Sequence, residues 1–488
     1  MTARFQTDEA GEARVTALFL AALAAYFAAQ AALRVALGGS FEGDEAEMVV
    51  LARDWHLAIG SQPPLYNWYQ TLMFDVFGVG TLGLMVAKNL ALFTTYALML
   101  AALRPQAGAR LAMAGTLALA LIPNLAWWAQ RTGSHTEALA VMTAATLAAF
   151  LHLMRRPGVE AFLLFGLAVG LGGLAKPNYW LVPPALMLAA LTMPSYRAVL
   201  VDRRLGLSLL AVVAVIAVPY GAMLTRPQAT FSDLWEFRKG AAELAGPLWP
   251  QGLGEMASGG LVELVPLLIL FVLMRGLALR RLPTPRPYET LMLRAALIGA
   301  GLVAVGVVLA DVTLVRARWL LPLFMLAAPP VATLLFREAS ARALRIYLGA
   351  VAGLAVLLLG AIADTRLRGA GSDSLRVELL AEAIERELGE VPALLGDHYY
   401  TGNLLLHRPD WEVLPPFPTR LLAEPSGRLV VIGGGEGRTL PWLREHGYPG
   451  TEAPAPVLRF TAVLPYRFTQ DETRSVAVEL LEFDATPR

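Results

Sequence analysis

Long apolar runs, each broken by a short stretch carrying arginine, proline or glycine, occupy the first three quarters of the chain. A helix needs roughly 20 mostly apolar residues to cross a bilayer. Runs of that order fall at 15–37, 82–103, 111–127, 136–154, 159–175, 178–194, 205–224, 259–279, 291–310, 317–336 and 343–363, which predicts about eleven transmembrane helices. The first, Val15–Leu37, is longer than the roughly 7–15 apolar residues of a secretory signal and reads as an uncleaved anchor. The two runs flanking Lys176 are short and rich in glycine (Gly166, Gly170, Gly172, Gly173), as in a tilted, broken or re-entrant pair. Beyond residue 363 the periodicity changes. Leu375, Leu379, Ala383 and Ile384 recur with helical spacing, and β-like runs follow at Leu394-Leu395, Leu429–Ile432, Val457–Leu464 and Ser475–Phe483. The expected architecture is an α-helical integral membrane protein of about eleven spans (1–363) followed by a small extracytoplasmic α/β domain (364–488).

Composition sharpens that division. Of 488 residues 56% are hydrophobic and 16% charged, against about 25% charged in an ordinary soluble domain. Residues 1–363 hold 27 Lys/Arg and 20 Asp/Glu, or 13%, whereas residues 364–488 hold 13 and 19, or 26%. A net charge of +1 gives no basic face for nucleic acid. With no cysteine, disulfides, thiolate zinc sites, thiol nucleophiles and iron–sulfur clusters are excluded.

Lys and Arg are concentrated in cytoplasmic loops of membrane proteins. With the N-terminus inside, alternate connections carry 16 arginines (Arg4, Arg14, Arg104, Arg110, Arg155 and Arg156 among them), and the opposite ones carry eight Lys/Arg. An odd number of spans then exports the C-terminal domain and places loops 38–81 and 225–258 outside. Loop 38–81 holds Glu42, Asp44, Glu45, Glu47, Asp54 and Asp75, while Arg131, Lys176, Arg238, Lys239, Arg316 and Arg318 end other outer connections. Carboxylates and cations on one membrane face suit an anionic, lipid-linked substrate, although loops also need charge simply to be solvated.

Four segments carry a more specific signal: Phe41-Glu-Gly-Asp-Glu-Ala-Glu-Met48, Gln62-Pro-Pro-Leu-Tyr-Asn-Trp68, Gly172-Gly-Leu-Ala-Lys-Pro177 and Arg316-Ala-Arg-Trp-Leu-Leu-Pro322. In this order, over roughly residues 15–336, they resemble the bacterial protein O-mannosyltransferase and aminoarabinose transferase family of the GT-C class of polytopic glycosyltransferases. The resemblance implies an inverting enzyme that moves a sugar from a polyprenyl-phosphate carrier to a hydroxyl or phosphate of a cell-envelope acceptor. That acceptor would be a glycolipid such as lipid A, a polysaccharide or a protein. It also implies that Asp44 of the Asp44-Glu45 pair is the catalytic base, because an acceptor hydroxyl is a poor nucleophile until a carboxylate takes its proton. The leaving group is already a phosphate and needs cations more than a proton. Two positions depart from the aminoarabinose branch, with Glu47 and Gln62 where that branch carries basic residues, so an aminoarabinose donor is not implied.

Other residues have both a chemical and a plain reading. Lys176 lies between two apolar segments, where an unpaired ammonium is costly, so a donor phosphate or an outer-loop carboxylate is its expected partner. Arg318 suits a phosphate or snorkels from the start of a span. Arg131, in Trp127-Trp-Ala-Gln-Arg131, belongs to the site or to an aromatic interfacial belt. Glu137 stands where related enzymes place a second acidic residue, and Gln62, Tyr66 and His56 complete the candidate substrate contacts. His56 and His135 with nearby carboxylates could hold a divalent metal, but no tight ligand spacing supports one, and no cofactor is implied. In loop 225–258 the spacing of Phe231, Leu234, Trp235 and Arg238 predicts a short interfacial helix that would bring Arg238 and Lys239 towards a carrier phosphate. Gly433-Gly-Gly-Glu-Gly437 lacks the Lys-Ser/Thr of a nucleotide loop and reads as a turn. The alternative function is a transporter or flippase of a lipid-linked or anionic solute. No internal repeat of the kind many transporters show supports it.

Overall fold

The computed structural model describes residues 9–240, 246–277, 283–414, 427–433, 439–445, 448, 450–469 and 471–483. Eight helices among them are long and apolar enough to cross a membrane: Ala10–Leu37, Thr81–Ala107, His135–Arg155, Leu205–Leu224, Trp249–Met274, Pro287–Leu309, Ala317–Phe336 and Ala341–Leu367. The run expected at 111–127 is not one straight helix. It continues to Thr132 and bends by 78° between Ala109–Leu121 and Asn124–Thr132. Pro123 explains the break, since proline lacks an N–H and pushes the residue before it out of the helical region; Ile122 is accordingly extended. The buried start of the second half is capped by Glu263 of the Trp249–Leu277 helix, which accepts from Asn124 N at 3.0 Å and Asn124 Nδ2 at 2.5 Å. The two runs around Lys176 are helical but shorter than a full crossing, Val159–Gly173 and then a 3₁₀ turn Pro177–Leu181 leading into Val182–Leu191.

The glycines at that turn serve close approach. A Cβ on Gly172 would lie 2.0 Å from Tyr179 Cζ, and one on Gly173 would lie 2.5 Å from Trp180 Cζ2. Only bare backbone lets both rings fold back on the helix end and hold Lys176 at the tip of the hairpin.

After the last long helix the chain forms a five-stranded sheet of order β2-β1-β3-β5-β4, with β1 Ala393–Gly396, β2 Val413–Leu414, β3 Gly427–Ile432, β4 Leu458–Pro465 and β5 Thr473–Phe483. β1 pairs parallel with β2 and β3, whereas β5 pairs antiparallel with β3 and β4. Because alternate strand residues point to opposite faces, Leu394, Val430 and Ile432 pack with Leu380, Ile384 and Leu404 on one side, and Leu395, Leu429 and Val431 pack with Leu443 on the other. The amphipathic helix starts at Glu378, later than its apolar spacing predicts; Leu375 precedes it and bridges to Tyr466 beside the sheet. Residues 434–437 of the glycine-rich segment lie outside the described residues, as do 278–282 with Arg280 and Arg281.

The sheet domain is bound to the segment that follows the first long helix. Asn403, fully buried, accepts from Phe41 N at 2.6 Å and donates to Phe41 O at 3.1 Å. Ser40 donates from N to Asp373 O at 3.0 Å and from Oγ to Leu375 O at 2.6 Å.

Candidate active site

Asp44 lies on a nine-residue helix, Gly43–Leu51, that follows the first long helix. One turn separates Asp44 from Glu47, so the two share a face, and Glu45, Ala46, Met48 and Val49 turn into the protein. The exposed face looks into a hollow of about 1140 Å³. Asp44, Glu47, Gln62, His135, Lys176, Arg238 and Arg318 all line it, together with Trp180, Tyr220, Phe237, Trp319 and aliphatic side chains such as Leu181, Leu302 and Val307. Residues more than two hundred positions apart thus meet in one chamber that is polar around Asp44 and apolar elsewhere.

Arg318 Nη1 stands 3.9 Å from Asp44 Oδ2, and the two side chains keep 37% and 42% exposure, so both remain open to a bound molecule. Lys176 donates to Thr136 Oγ1 at 3.0 Å and forms no ion pair among the described residues. The Nε of Arg318 and the Oδ1 of Asn178 are buried without a partner among the described residues. The chamber walls desolvate Asp44 and raise its carboxyl above its ordinary value, against the pull of Arg318, Lys176 and Lys88. Burial and the neighbouring Arg318 lower the Lys176 ammonium to about 8, opposed by Asp44 and Glu137. An electron-rich oxygen entering between these groups would meet one base and two cations.

Glu45 belongs to a different environment. It is 1% exposed and does not line the hollow. Its carboxylate pairs with Lys88 at 2.7 Å, Arg34 at 3.7 Å and Arg366 at 4.0 Å, and accepts from Glu42 N at 3.4 Å. Burial alone would raise this acid, but the three cations outweigh it and hold Glu45 at about 2. The two members of the expected catalytic pair therefore lie in different surroundings: a single helical step turns Glu45 away from Asp44's chamber.

The remaining candidates separate likewise. Arg131 pairs with Glu42 at 3.1 Å and lies over Trp127 and Trp128, in the belt arrangement rather than the hollow. Glu137 is fully buried behind Gly133, whose Cβ would collide with its carboxylate. Tyr66 is buried beside His135, their rings 5.6 Å apart. The His56 carbonyl receives the Trp68 indole N–H at 2.6 Å, and neither His56 nor Lys239 lines the hollow. The segment expected as an α-helix from Phe231 is instead 3₁₀ over Ser232–Arg238. With three residues per turn, Phe231, Leu234 and Phe237 align, and all three line the chamber together with Arg238. Thr313 Oγ1 ties this segment down through Phe237 O at 3.1 Å and Lys239 O at 2.9 Å, and Arg316 pairs with Glu236 at 3.2 Å.

The sequence pattern missed the aromatic wall. Trp180 donates to Tyr220 Oη at 2.7 Å, and Phe237 lies 5.1 Å from Trp319. Trp319 stood inside a noticed motif, but nothing in the pattern set Tyr220 or Phe237 apart from other interfacial aromatics. Among the described residues no group of three or more His, Asp or Glu side chains is arranged to hold a metal ion.

A family model described as dolichyl-phosphate-mannose-protein mannosyltransferase matches residues 61–222. The chain is 30% identical over 439 residues to the lipopolysaccharide core galacturonosyltransferase RgtA of Rhizobium johnstonii, covering 85% of this chain and 86% of that one. The chain belongs to this family of GT-C glycosyltransferases. RgtB of the same organism, named for the same activity, is 30% identical over 459 residues, covering 89% and 92%. The fold of this GT-C glycosyltransferase matches the crystal structure of ArnT from Cupriavidus metallidurans bound to undecaprenyl phosphate, with a TM-score of 0.58 at 16% identity over 95% of this chain and 97% of that one. The glycosyltransferase is accordingly a multi-pass membrane enzyme with its candidate site at the Asp44 chamber.

Proposed function

We propose that this glycosyltransferase transfers a uronic acid, galacturonic acid by analogy with its relatives, from a polyprenyl-phosphate carrier to a hydroxyl of a lipopolysaccharide-type acceptor outside the cytoplasm. The observation that carries this reading is the meeting of Asp44, Lys176 and Arg318 in one hollow with an aromatic and aliphatic wall. The names of RgtA and RgtB support the sugar and the acceptor. The undecaprenyl phosphate bound to ArnT supports the carrier class. The excess of arginine in alternate loops supports a cytoplasmic N-terminus and an exported sheet domain, with a boundary between membrane and exported parts near residue 363.

In this reaction the acceptor oxygen attacks the anomeric carbon while Asp44 takes its proton. The bond from that carbon to the phosphate oxygen breaks on the opposite face, which inverts the configuration. The departing polyprenyl phosphate keeps the electron pair, and its added negative charge is met by Lys176 and by the unpartnered donor of Arg318. Preorganised cations at a developing charge are commonly the largest catalytic contribution. Glu45 takes no proton here; it holds the helix. Arg238 lies at the rim beside Phe231 and Leu234 and guides the carrier's headgroup inwards.

The test is direct. Purified enzyme is incubated with polyprenyl phosphate carrying a radiolabelled uronic acid and with lipopolysaccharide core acceptors. Label in the acceptor with inverted linkage, lost in Asp44→Asn, is the expected result. Label that only changes leaflet in vesicles would instead make the protein a flippase.

A further inference from the structure

The helix that bears Asp44 is held by the sheet domain as well as by the long helices. Behind its inward face runs the helix His398–His407, and the two approach so closely that a Cβ on Gly402 would lie 2.1 Å from the Ala46 carbonyl oxygen. At the helix entrance Asn403 takes both backbone polar groups of Phe41, as an added strand would, and also donates to Tyr399 O at 2.7 Å. Ser372 donates to Glu42 Oε2 at 2.8 Å, and Arg366 lies between Asp373 at 3.9 Å and Glu45 at 4.0 Å. On the chamber side His398 stands 4.0 Å from Glu47, one turn from Asp44. Contacts from the sheet domain thus reach residues 40, 41, 42, 46 and 47, on both sides of the aspartate.

We propose that the sheet domain is the positioning element of the catalytic helix, with Gly402 and Asn403 as positioning residues that set where Asp44 stands in the chamber. This rests on Asp44 being the base. A nine-residue helix between two loops has little rigidity of its own. Fixing the entrance backbone at Phe41 and the helix back at Ala46 removes both its freedom to slide and its freedom to rotate. Asn403 is fully buried, so its amide has no solvent role to explain it. Gly402 is the contact point at which any side chain would force the helices apart.

The experiment compares five variants of the full-length enzyme in detergent, by thermal unfolding, by binding of polyprenyl phosphate, and by kcat and donor KM. Gly402→Ala inserts a methyl group at the closest contact and moves the catalytic helix by about 1 Å, a displacement that can cost about a hundredfold in rate. The expected result is that loss in kcat with polyprenyl phosphate binding and donor KM unchanged, and a similar pattern in Asn403→Ala. Leu443→Ala, in the small core on the far face of the sheet, is the control for stability alone. It should lower the melting temperature at least as much while kcat stays at the wild-type level. Should Gly402→Ala and Asn403→Ala not be recovered folded, Ser372→Ala deletes only the hydroxyl bonded to Glu42, and a fall of about fivefold in kcat is expected. Wild-type kcat in the folded members of this set, while Asp44→Asn is inactive, overturns the positioning role and leaves the base intact. A kcat loss in Leu443→Ala that tracks its lost stability overturns it as well. Full activity in Asp44→Asn instead removes the base itself.

Discussion

Asp44 and Glu45 are neighbours in sequence and belong to two different regions. On one side of the short helix is a wide chamber, with an aspartate 42% exposed, an arginine at 3.9 Å and a lysine that makes no ion pair among the described residues. On the other is a closed knot in which Glu45, Arg34, Lys88, Arg366 and Asp373 share a volume from which water is excluded. The same kind of side chain is pushed in opposite directions. The walls of the chamber raise the Asp44 carboxyl above its ordinary value, whereas three cations overcome the burial of Glu45 and hold it at about 2. An open pairing leaves charges available to a substrate, and a closed one uses them up against each other. The first arrangement suits the proposed chemistry; the second suits holding a helix still.

The sharpest way to break this comparison is to neutralise each carboxylate in turn. Asp44→Asn should fold and bind polyprenyl phosphate but lose about a thousandfold in transfer, within the range expected of a general base. Label transfer beside a carrier-binding assay checks it, and near-wild-type transfer would move the chemistry elsewhere. Glu45→Gln should instead act on folding. It strands Lys88, Arg34 and Arg366 without their shared anion, and removing one member of a buried ion pair costs about 3–5 kcal/mol, to be read from denaturant unfolding. An unchanged stability would mean that the knot tolerates its excess positive charge.

Lys176→Met should cut kcat by about a hundredfold, the scale of one lost electrostatic donor at a developing charge, without comparable loss of stability. The pH profile carries the signs. Asp44 works deprotonated, so activity falls as pH drops through a value raised above the ordinary one for an aspartate. Lys176 works protonated, so activity falls again as pH rises through about 8. Lys176→Arg should move the alkaline limb upward because a guanidinium stays charged, and a limb that does not move belongs to another group. The smallest effect is expected at the rim. Arg238 is exposed, and its removal in Arg238→Ala should raise donor KM by about threefold, whereas Lys239→Ala, outside the chamber, should leave it unchanged.

What the sequence determined by itself was the succession of apolar helices and the change to a polar sheet domain. Apolar runs must become helices in a bilayer because no water is present to satisfy a free backbone, so eight long helices, a bent ninth at Pro123 and the glycine-packed hairpin at Lys176 all fall on runs visible in the chain. The change to soluble composition marked the sheet domain for the same reason. Asp44, Lys176 and Arg318 came to notice through the family motifs that contain them, and Lys176 also because an ammonium between two apolar segments is costly. Which way each charge points was decided only by the tertiary structure. Asp44 and Glu45 have the same local pattern, and one step of helix separates the open chamber from the buried ion cluster. The partners of Glu45 come from Arg34, Lys88 and Arg366, and the clasp on Phe41 comes from Asn403. Contacts between residues hundreds of positions apart leave no local periodicity to read; they exist only once the helices pack.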